Sequence, residues 1–467
     1  MTSPSDRKHL SLNVLDMCAV SHNNYGLWRH PSNQKLRYCD VSYWIEHARA
    51  AERALFDCVF FADLIGISAG YGGSNDVALR EAMHVPNLDP AMVITAMAAA
   101  TTHLGFGLTV STSFEAPFGH ARRFSTLDHM TGGRIAWNVV TTYLPNASEN
   151  FGIAHDLYTH DERYDLADEF MEVCYKLWEG SWDEDAVLRD RVNQIYADPR
   201  KVHPIYHKGR YFSCAGPHIC EPSPQRTPVI FQAGSSGRGK EFAARHAEVI
   251  FVGGRTRAAV KTNVADVRAA VAACGRAQDE VRIICDVGFI VARTDAEAQA
   301  KLASYQALTS PHGYIAHHSG AGVDLMRFSR ETTQEEIIAE GGPGAAHMKR
   351  YSYPPGTTVG DIIDAASDIS RKAFVAVGSA ERVADQAEEW VEDVGLDGFL
   401  CRQYETDGTI RDIGDFLIPE LARRGLHRGT YRGGTLRDAL LGTDRVAASH
   451  PAHAYRVAPC DPARGAE

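Results

Sequence analysis

The 467-residue sequence lacks an excess of basic charge, a long apolar run and any paired-cysteine motif. Lys and Arg number 48 against 59 Asp and Glu, a net charge of −11 without long single-sign blocks. That balance favours solubility and argues against a general nucleic-acid binder, which needs a basic stripe. No run approaches the ~18 apolar residues of a membrane span, and the N-terminal MTSPSDRKHLSLNV has no apolar leader core. Ten cysteines lie scattered from Cys18 to Cys460 with no CxxC, so the expectation is a reduced, cytoplasmic protein whose cysteines act as small apolar residues. Six tryptophans fall without a repeat.

What the sequence does contain is alternation. Apolar runs LSLNVLDM (10–17), CVFFAD (58–63), LGFGLTVSTS (104–113) and RIAWNVVT (134–141) are interleaved with amphipathic stretches at 42–56, 90–103, through ARRFSTLDHM, and at 162–180. Asp89 and Pro90 form a helix-start signal, and Gly132-Gly133 a helix stop. After an irregular stretch, 181–226, the rhythm resumes with TPVIFQAG (227–234), EVIFVGG (248–254), VRIICDVGFIVA (281–292), FVAVGS and DGFLCR (397–402), again with helices between. Strands apolar nearly throughout, each followed by a helix, imply a parallel sheet covered on both faces. Eight such units predict a (β/α)8 barrel spanning 1–427 as one domain. The surplus length falls into insertions at about 65–88, 181–226 and 293–372, and 428–467 reads as a C-terminal arm or subunit contact.

In such a barrel the active site forms at the C-terminal strand ends. Those positions carry Asp63, Ser111, Thr112, Ser113, Thr141 and Thr142, then Gly234, Ser235 and Ser236, with His22 in the loop after the first strand. Hydroxyls dominate, which suits hydrogen bonding to a phosphorylated ligand better than acid–base hydrolysis. Taken singly, each Ser or Thr has a plain alternative as a helix N-cap. The segment QAGSSGRGK (232–240) copies much of a nucleotide P-loop, but Glu241 stands where Ser or Thr would hold magnesium, and no second acidic strand completes an ATPase. A helix N-terminus with glycines that let backbone N–H groups approach an anion remains. In HDERY (160–164), Asp161 could simply cap the following helix. Histidines at 203/207 and 312/317/318 have no carboxylates at metal-site spacing, so no metal is expected.

The blocks NVLDMCAVSHNNYGLWRHP, FDCVFFADLIG, ARRFSTLDHMTGGRIAWNVVT, HDERYDLADEFMEVCYKLWEGSWDEDA, KVHPIYHKGRYF and EPSPQRTPVIFQAGSSGRGKEFAA resemble, in order from about 10 to 440, the two-component flavin monooxygenases of the bacterial-luciferase-like group. They are most similar to the nitrilotriacetate and dibenzothiophene-sulfone monooxygenase branch. RHPSNQKLRYCDVSYW and LLGTDRVAASHPAHAYR look closest to its dimethylsulfide-oxidising members. The resemblance implies a TIM barrel, FMN delivered reduced by a separate NAD(P)H:flavin reductase, O2 as co-substrate, and a homodimer or homotetramer. It places Asp63, Ser111, Thr112 and Thr141 at flavin contacts. His160 and Tyr164 fall near the ribityl phosphate, Gly234, Ser235 and Ser236 in the phosphate loop, and His22 near the reactive face of the ring. His22 would act as a proton donor or shuttle titrating near neutral pH. His318, in HHSGAGVD, would close over the ring from a lid formed by 293–372; sulfone-oxidising relatives carry a similar His-Thr-Gly segment. The implied substrate is a small organosulfur compound such as a dialkyl sulfide. Oxidation of a sulfone or amino-polycarboxylate, or dehalogenation of a haloaromatic, are alternatives by the same chemistry. An F420-dependent hydride-transfer enzyme and a non-catalytic flavin-binding protein are the alternatives of other classes.

Overall fold

A computed structural model describes residues 9–456 apart from 143, 155–156, 235, 255, 320–323, 352 and 372–373. Nine parallel strands make the main sheet: Ser11–Met17 (β1), Cys58–Ala62 (β2), Gly105–Ser111 (β3), Ile135–Val140 (β4), Val229–Gln232 (β5), Val249–Val252 (β6), Arg282–Ala292 (β7), Val375–Ser379 (β8) and Gly398–Arg402 (β9). Eight of them close a barrel in the order β1-β2-β3-β4-β5-β6-β7-β9, with β9 returning to β1 and β6 pairing β7 from Val249 opposite Arg282. All seven residues of β1 and of β3 are buried, because helices cover the outside while side chains fill the lumen.

The apolar run 374–379 does not enter the barrel. Strand β7 is eleven residues long; Ile284–Val287 pairs with β9, and Gly288–Ala292 extends beyond the barrel and pairs with β8. Periodicity cannot separate the two fates, since both strands are short and apolar.

Local signals account for most helix boundaries. Helix α1 (Val41–Arg53) is capped by Asp40, and α2 (Pro90–Ala99) by Asp89 with Pro90 at its first turn. Helix α3 (Pro117–Thr131) stops at Gly132, whose φ of 64° is left-handed. Helix α4 (His160–Gly180) opens with a reciprocal capping box between Thr159 and Glu162, so Thr159, and not Asp161, is its cap. Helix α5 (Gly237–His246) follows β5, and α6 (Arg257–Ala273) follows β6.

The lumen is filled by Phe60, Phe231 and Phe251, the first two stacked with centroids 6.1 Å apart. Gly107 lacks a side chain because a Cβ there would stand 3.1 Å from the Phe60 ring and 3.3 Å from Phe231. The C-terminal segment folds back onto its own barrel. Leu436 and Leu440 of the short helix Leu436–Leu441 join the lumen cluster from the N-terminal face, so close that a Cβ on Gly105 would meet Leu436 at 2.5 Å. Between them Arg437 is fully buried and paired to Glu248 at 2.7 Å.

Above the barrel, part of the region 293–372 forms helices including Pro311–Ser319 (α7), Gln334–Glu340 and Val359–Ser367. A separate apolar cluster unites Tyr314, Ile337, Met348 and Ile362 from this region with Tyr25, Tyr71 and Met83 from the loops after β1 and β2. The long loops therefore share a core of their own over the C-terminal strand ends.

Candidate active site

Three groups of the expected residues gather on that face. The first surrounds the N-terminus of α5. Ser236 caps the helix, accepting from Gly239 N at 3.0 Å, which is the plain structural role expected for an isolated serine. Its first N–H groups, those of Gly237 and Arg238, have no partner among the described residues. Gly234 and Gly239 are pressed together: a Cβ on Gly239 would lie 2.7 Å from the Tyr164 hydroxyl and 2.9 Å from Ser236 Oγ. Tyr164 is buried, with the exposed His160 ring at 5.3 Å. The result is a narrow glycine cradle beside a phenol and an imidazole. Ser235 lies outside the described residues.

The P-loop likeness stops at the backbone. Lys240 turns away to Asp266 at 2.7 Å, and Arg238 bonds Asp165 and Asp168 on α4. Both cations are engaged by carboxylates, Arg238 while lying over the Tyr164 ring at 5.7 Å, so the groups left for an anion are N–H groups, hydroxyls and the helix dipole.

The second group is the hydroxyl set at the ends of β3 and β4. Thr142 Oγ1 donates to Ser111 Oγ at 2.8 Å, and Ser111 also accepts from Ser113 N at 3.2 Å. Thr141 is half-buried beside them. Thr112 is buried, and its hydroxyl is turned back on the Val140 carbonyl at 3.5 Å, so its position at the strand end does not make it a free donor.

The third group surrounds His22. Asn23 Nδ2 donates to His22 Nδ1 at 3.2 Å, leaving the ring proton on Nε2. Burial, together with the neighbouring His84, lowers the His22 pKa to about 3. His22 is therefore a neutral hydrogen-bonding ring at pH 7 and does not titrate near neutrality as expected from its residue type. Asp63, after β2, accepts from Asn87 Nδ2 at 2.6 Å, and burial raises its pKa to about 6. A polar cavity of about 40 Å³, enough for two or three waters, lies beside His22 and is also lined by Asp16, Lys35, Trp28, Arg402 and Tyr404. The His318 side chain lies outside the described residues.

Several residues at this end escaped sequence reasoning. His84, in the irregular loop after β2, has a φ of 60°, and its ring packs 5.5 Å from His22. Tyr25 bonds both His84 and His317, the latter on α7. Arg402 at the end of β9 bonds Asp286 of β7 at 2.9 Å across the barrel rim. Buried Lys35 bonds Asp16, which faces His47 at 3.1 Å, and His47 in turn bonds Asp407 at 2.7 Å. Strand alternation marks Asp16, Asp286 and Arg402 as charges inside apolar runs; nothing local marks the others. The histidines weighed above as metal ligands serve elsewhere: His203 bonds Asp183, His207 bonds Glu169, and His312 bonds Tyr71.

Residues 25–455 match the luciferase-like monooxygenases. The chain belongs to that family. This luciferase-like chain is 48% identical over 453 residues to a long-chain alkane monooxygenase of Geobacillus thermodenitrificans, covering 96% of this chain and 98% of the relative. It is 44% identical over 462 residues to the dimethyl-sulfide monooxygenase of Hyphomicrobium sulfonivorans, covering 97% and 95%. Among solved structures, a long-chain alkane monooxygenase superposes with a TM-score of 0.90 at 47% identity, over 96% of this chain and all 100% of the other. A riboflavin lyase holding modified FMN and riboflavin superposes with a TM-score of 0.89 at 38% identity, over 97% and 100%. An F420-dependent tetrahydromethanopterin reductase shares the fold alone, at 16% identity and a TM-score of 0.52.

Proposed function

We propose that the protein is the oxygenase component of a two-component system, taking reduced FMN from a separate flavin reductase and inserting one atom of O2 into a small apolar organic substrate. The observation that carries this is the cradle at the start of α5, where Gly239 is held against the Tyr164 hydroxyl beside unpartnered helix N–H groups. A terminal phosphate fits this donor set without a charged side chain. When bound, reduced FMN supplies the electrons that activate dioxygen.

In this reading Gly234, Ser235, Ser236, Tyr164 and His160 hold the phosphate end. Ser111, Thr141 and Asp63 bond along the flavin, with Thr142 added as the partner of Ser111. Thr112 acts through the sheet, since its hydroxyl is already engaged. The neutral His22, with its proton on Nε2, donates a hydrogen bond at the reacting centre. The loops after β1 and β2, clamped to α7 through Tyr25, keep water out, because solvent protonation would waste the activated oxygen. His318 belongs to that lid. The loop rims carry exposed Ile65, Phe151 and Leu157, with Phe114 stacked on Phe151 at 4.6 Å. Such a rim suits a substrate with an uncharged carbon skeleton, a dialkyl sulfide or an alkane, better than a sulfone or amino-polycarboxylate.

The test mixes the purified protein with a flavin reductase, NADH, FMN and air, and screens dialkyl sulfides, alkanes, sulfones, amino-polycarboxylates and haloaromatics by mass spectrometry. Oxygenated product from the first two classes is expected. Failure of every class, with tight anaerobic binding of reduced F420 in place of reduced FMN, would overturn the reading.

A further inference from the structure

The barrel face opposite the candidate active site carries a second cleft, of about 330 Å³. Its walls come from the start of β7, which supplies Arg282, and from the C-terminal segment, which supplies His427, Arg428 and Arg432; His9 and Asp438 complete it. Several other arginines of this acidic chain are matched with carboxylates, Arg437 with Glu248, Arg402 with Asp286, Arg268 with Asp397 and Arg424 with Asp385, whereas buried Arg134 is held by backbone carbonyls. Among the described residues, none of Arg282, Arg428 and Arg432 has a carboxylate oxygen within 4.0 Å.

Helix capping explains part of this. Arg282 donates to the Leu440 carbonyl at 2.7 Å and to that of His9 at 2.8 Å, and Arg428 donates to that of Ala439. These bonds fix where the two guanidinium groups sit, but they use three of the ten N–H donors the pair carries. Arg432 makes none. Of the nearest carboxylates, Asp57 accepts from Leu12 N at 3.0 Å and faces His9, while Asp438 lines the cleft itself beside Gly434 without pairing with any of the three arginines. Burial lowers the Arg428 pKa; Asp57 and Asp438 oppose that lowering, and Arg432 and Arg282 add to it.

The two histidines hold the backbone around Arg428 in place, and His9 turns its Nε2 to Asp57. His427 Nδ1 accepts from Gly429 N at 3.1 Å, so its proton stands on Nε2, which is buried and faces the Leu55 carbonyl without forming a hydrogen bond of good geometry. His9 Nδ1 likewise accepts from Arg428 N at 2.9 Å. Guanidinium forks match carboxylate and phosphate oxygens alike, and the summed charge of three of them beside an imidazole favours a dianion such as phosphate over a monoanionic carboxylate or a halide.

We propose that this cleft is a second ligand site, binding phosphate or the phosphate group of a small monoester through Arg282, Arg428, Arg432 and His427. The inference does not rest on the flavin reading, since it concerns the other end of the barrel.

The test is calorimetric titration of the full chain with inorganic phosphate and with glycerol phosphate, in a chloride buffer of constant ionic strength. Phosphate could also enter the α5 cradle, so Ser236→Ala is titrated beside Arg428→Gln/Arg432→Gln. The arginine variant is expected to bind phosphate at least tenfold more weakly than wild type, with Ser236→Ala retaining the wild-type affinity of this site. Tighter binding of glycerol phosphate than of inorganic phosphate assigns a monoester, and the reverse assigns free phosphate. Arg432→Gln alone, at an exposed position, gives a folded variant with an intermediate loss should the double variant misfold. Equal phosphate affinity in wild type and arginine variants, or loss confined to Ser236→Ala, would overturn the proposal.

Discussion

The Tyr25 hydroxyl lies 2.9 Å from Nε2 of His84 and also bonds Nδ1 of His317, so one phenol ties the loops after β1 and β2 to helix α7. Tyr314 strengthens the same junction by donating to the Asn23 carbonyl at 2.7 Å, beside His22. Coupling between lid and chemistry therefore passes through a few polar bonds at the edge of a small apolar cluster. Tyr25→Phe keeps the ring packing and removes the bonds. Hydrogen peroxide released per NADH consumed is expected to rise about three- to tenfold, a cost on the order of 1 kcal/mol in lid closure. Unchanged coupling in a reductase-linked assay would remove Tyr25 from water exclusion.

The cradle at α5 makes a sharper steric claim. Gly239→Ala puts a methyl group 2.7 Å from the Tyr164 hydroxyl, which is buried and cannot swing clear. Affinity for reduced FMN is expected to fall about tenfold, roughly 1.4 kcal/mol. Tyr164→Phe should weaken binding by itself yet restore part of the loss in the Gly239→Ala background, because the obstructing oxygen has gone. Stopped-flow fluorescence under nitrogen measures all three. Additive losses in the double variant would separate the two residues.

Asp63 yields a signed pH effect. Burial raises its folded pKa to about 6, whereas an unfolded chain has about 3.9. The folded state thus binds the proton more tightly, and stability contributed by this group falls as pH rises from about 4 to 6. Asp63→Asn removes that charge. Its melting temperature is expected to exceed wild type by about 2–4 °C above pH 6.5, with the gap closing near pH 4. A gap constant with pH would show that Asp63 is not a desolvated carboxylate.

At the barrel floor, Arg437 is wholly buried against Glu248, and it also donates to the Thr227 carbonyl at 2.8 Å. Arg437→Ala leaves a buried carboxylate without its cation, and a loss of about 3–5 kcal/mol is expected in urea unfolding. Pairing it with Glu248→Gln should recover a measurable part. A loss below about 1 kcal/mol would mean that the C-terminal segment is a dispensable cover.

His47 gives the same sign in a higher pH window. Its pKa is raised to about 9 by Asp16 and Asp407, which outweigh burial. The stability it contributes is complete below about pH 6.5 and is lost as pH rises through 9. A melting profile that declines between those values in wild type and is flat in His47→Gln is the expected result. Parallel profiles would exclude a charged His47.

The chain by itself determined its strands, most helix ends and the face on which a site would form. These depend on apolar period, on Asp89-Pro90 and on Gly132, all read within a few residues. Glycines around 234–239 likewise disclosed the close backbone approach at the start of α5, which needs them locally. Only the tertiary structure decided that 375–379 flanks the barrel and that Leu436 and Leu440 close its floor. It also directed Lys240 to Asp266 and Arg238 to Asp168, joined Tyr25 to His317 across 292 residues, and brought three arginines to one cleft without an ion pair among the described residues. Periodicity and capping energies are local, whereas a charge or a ring takes its partner from whatever chain the fold brings within a few ångströms, and that distance is not written in sequence order.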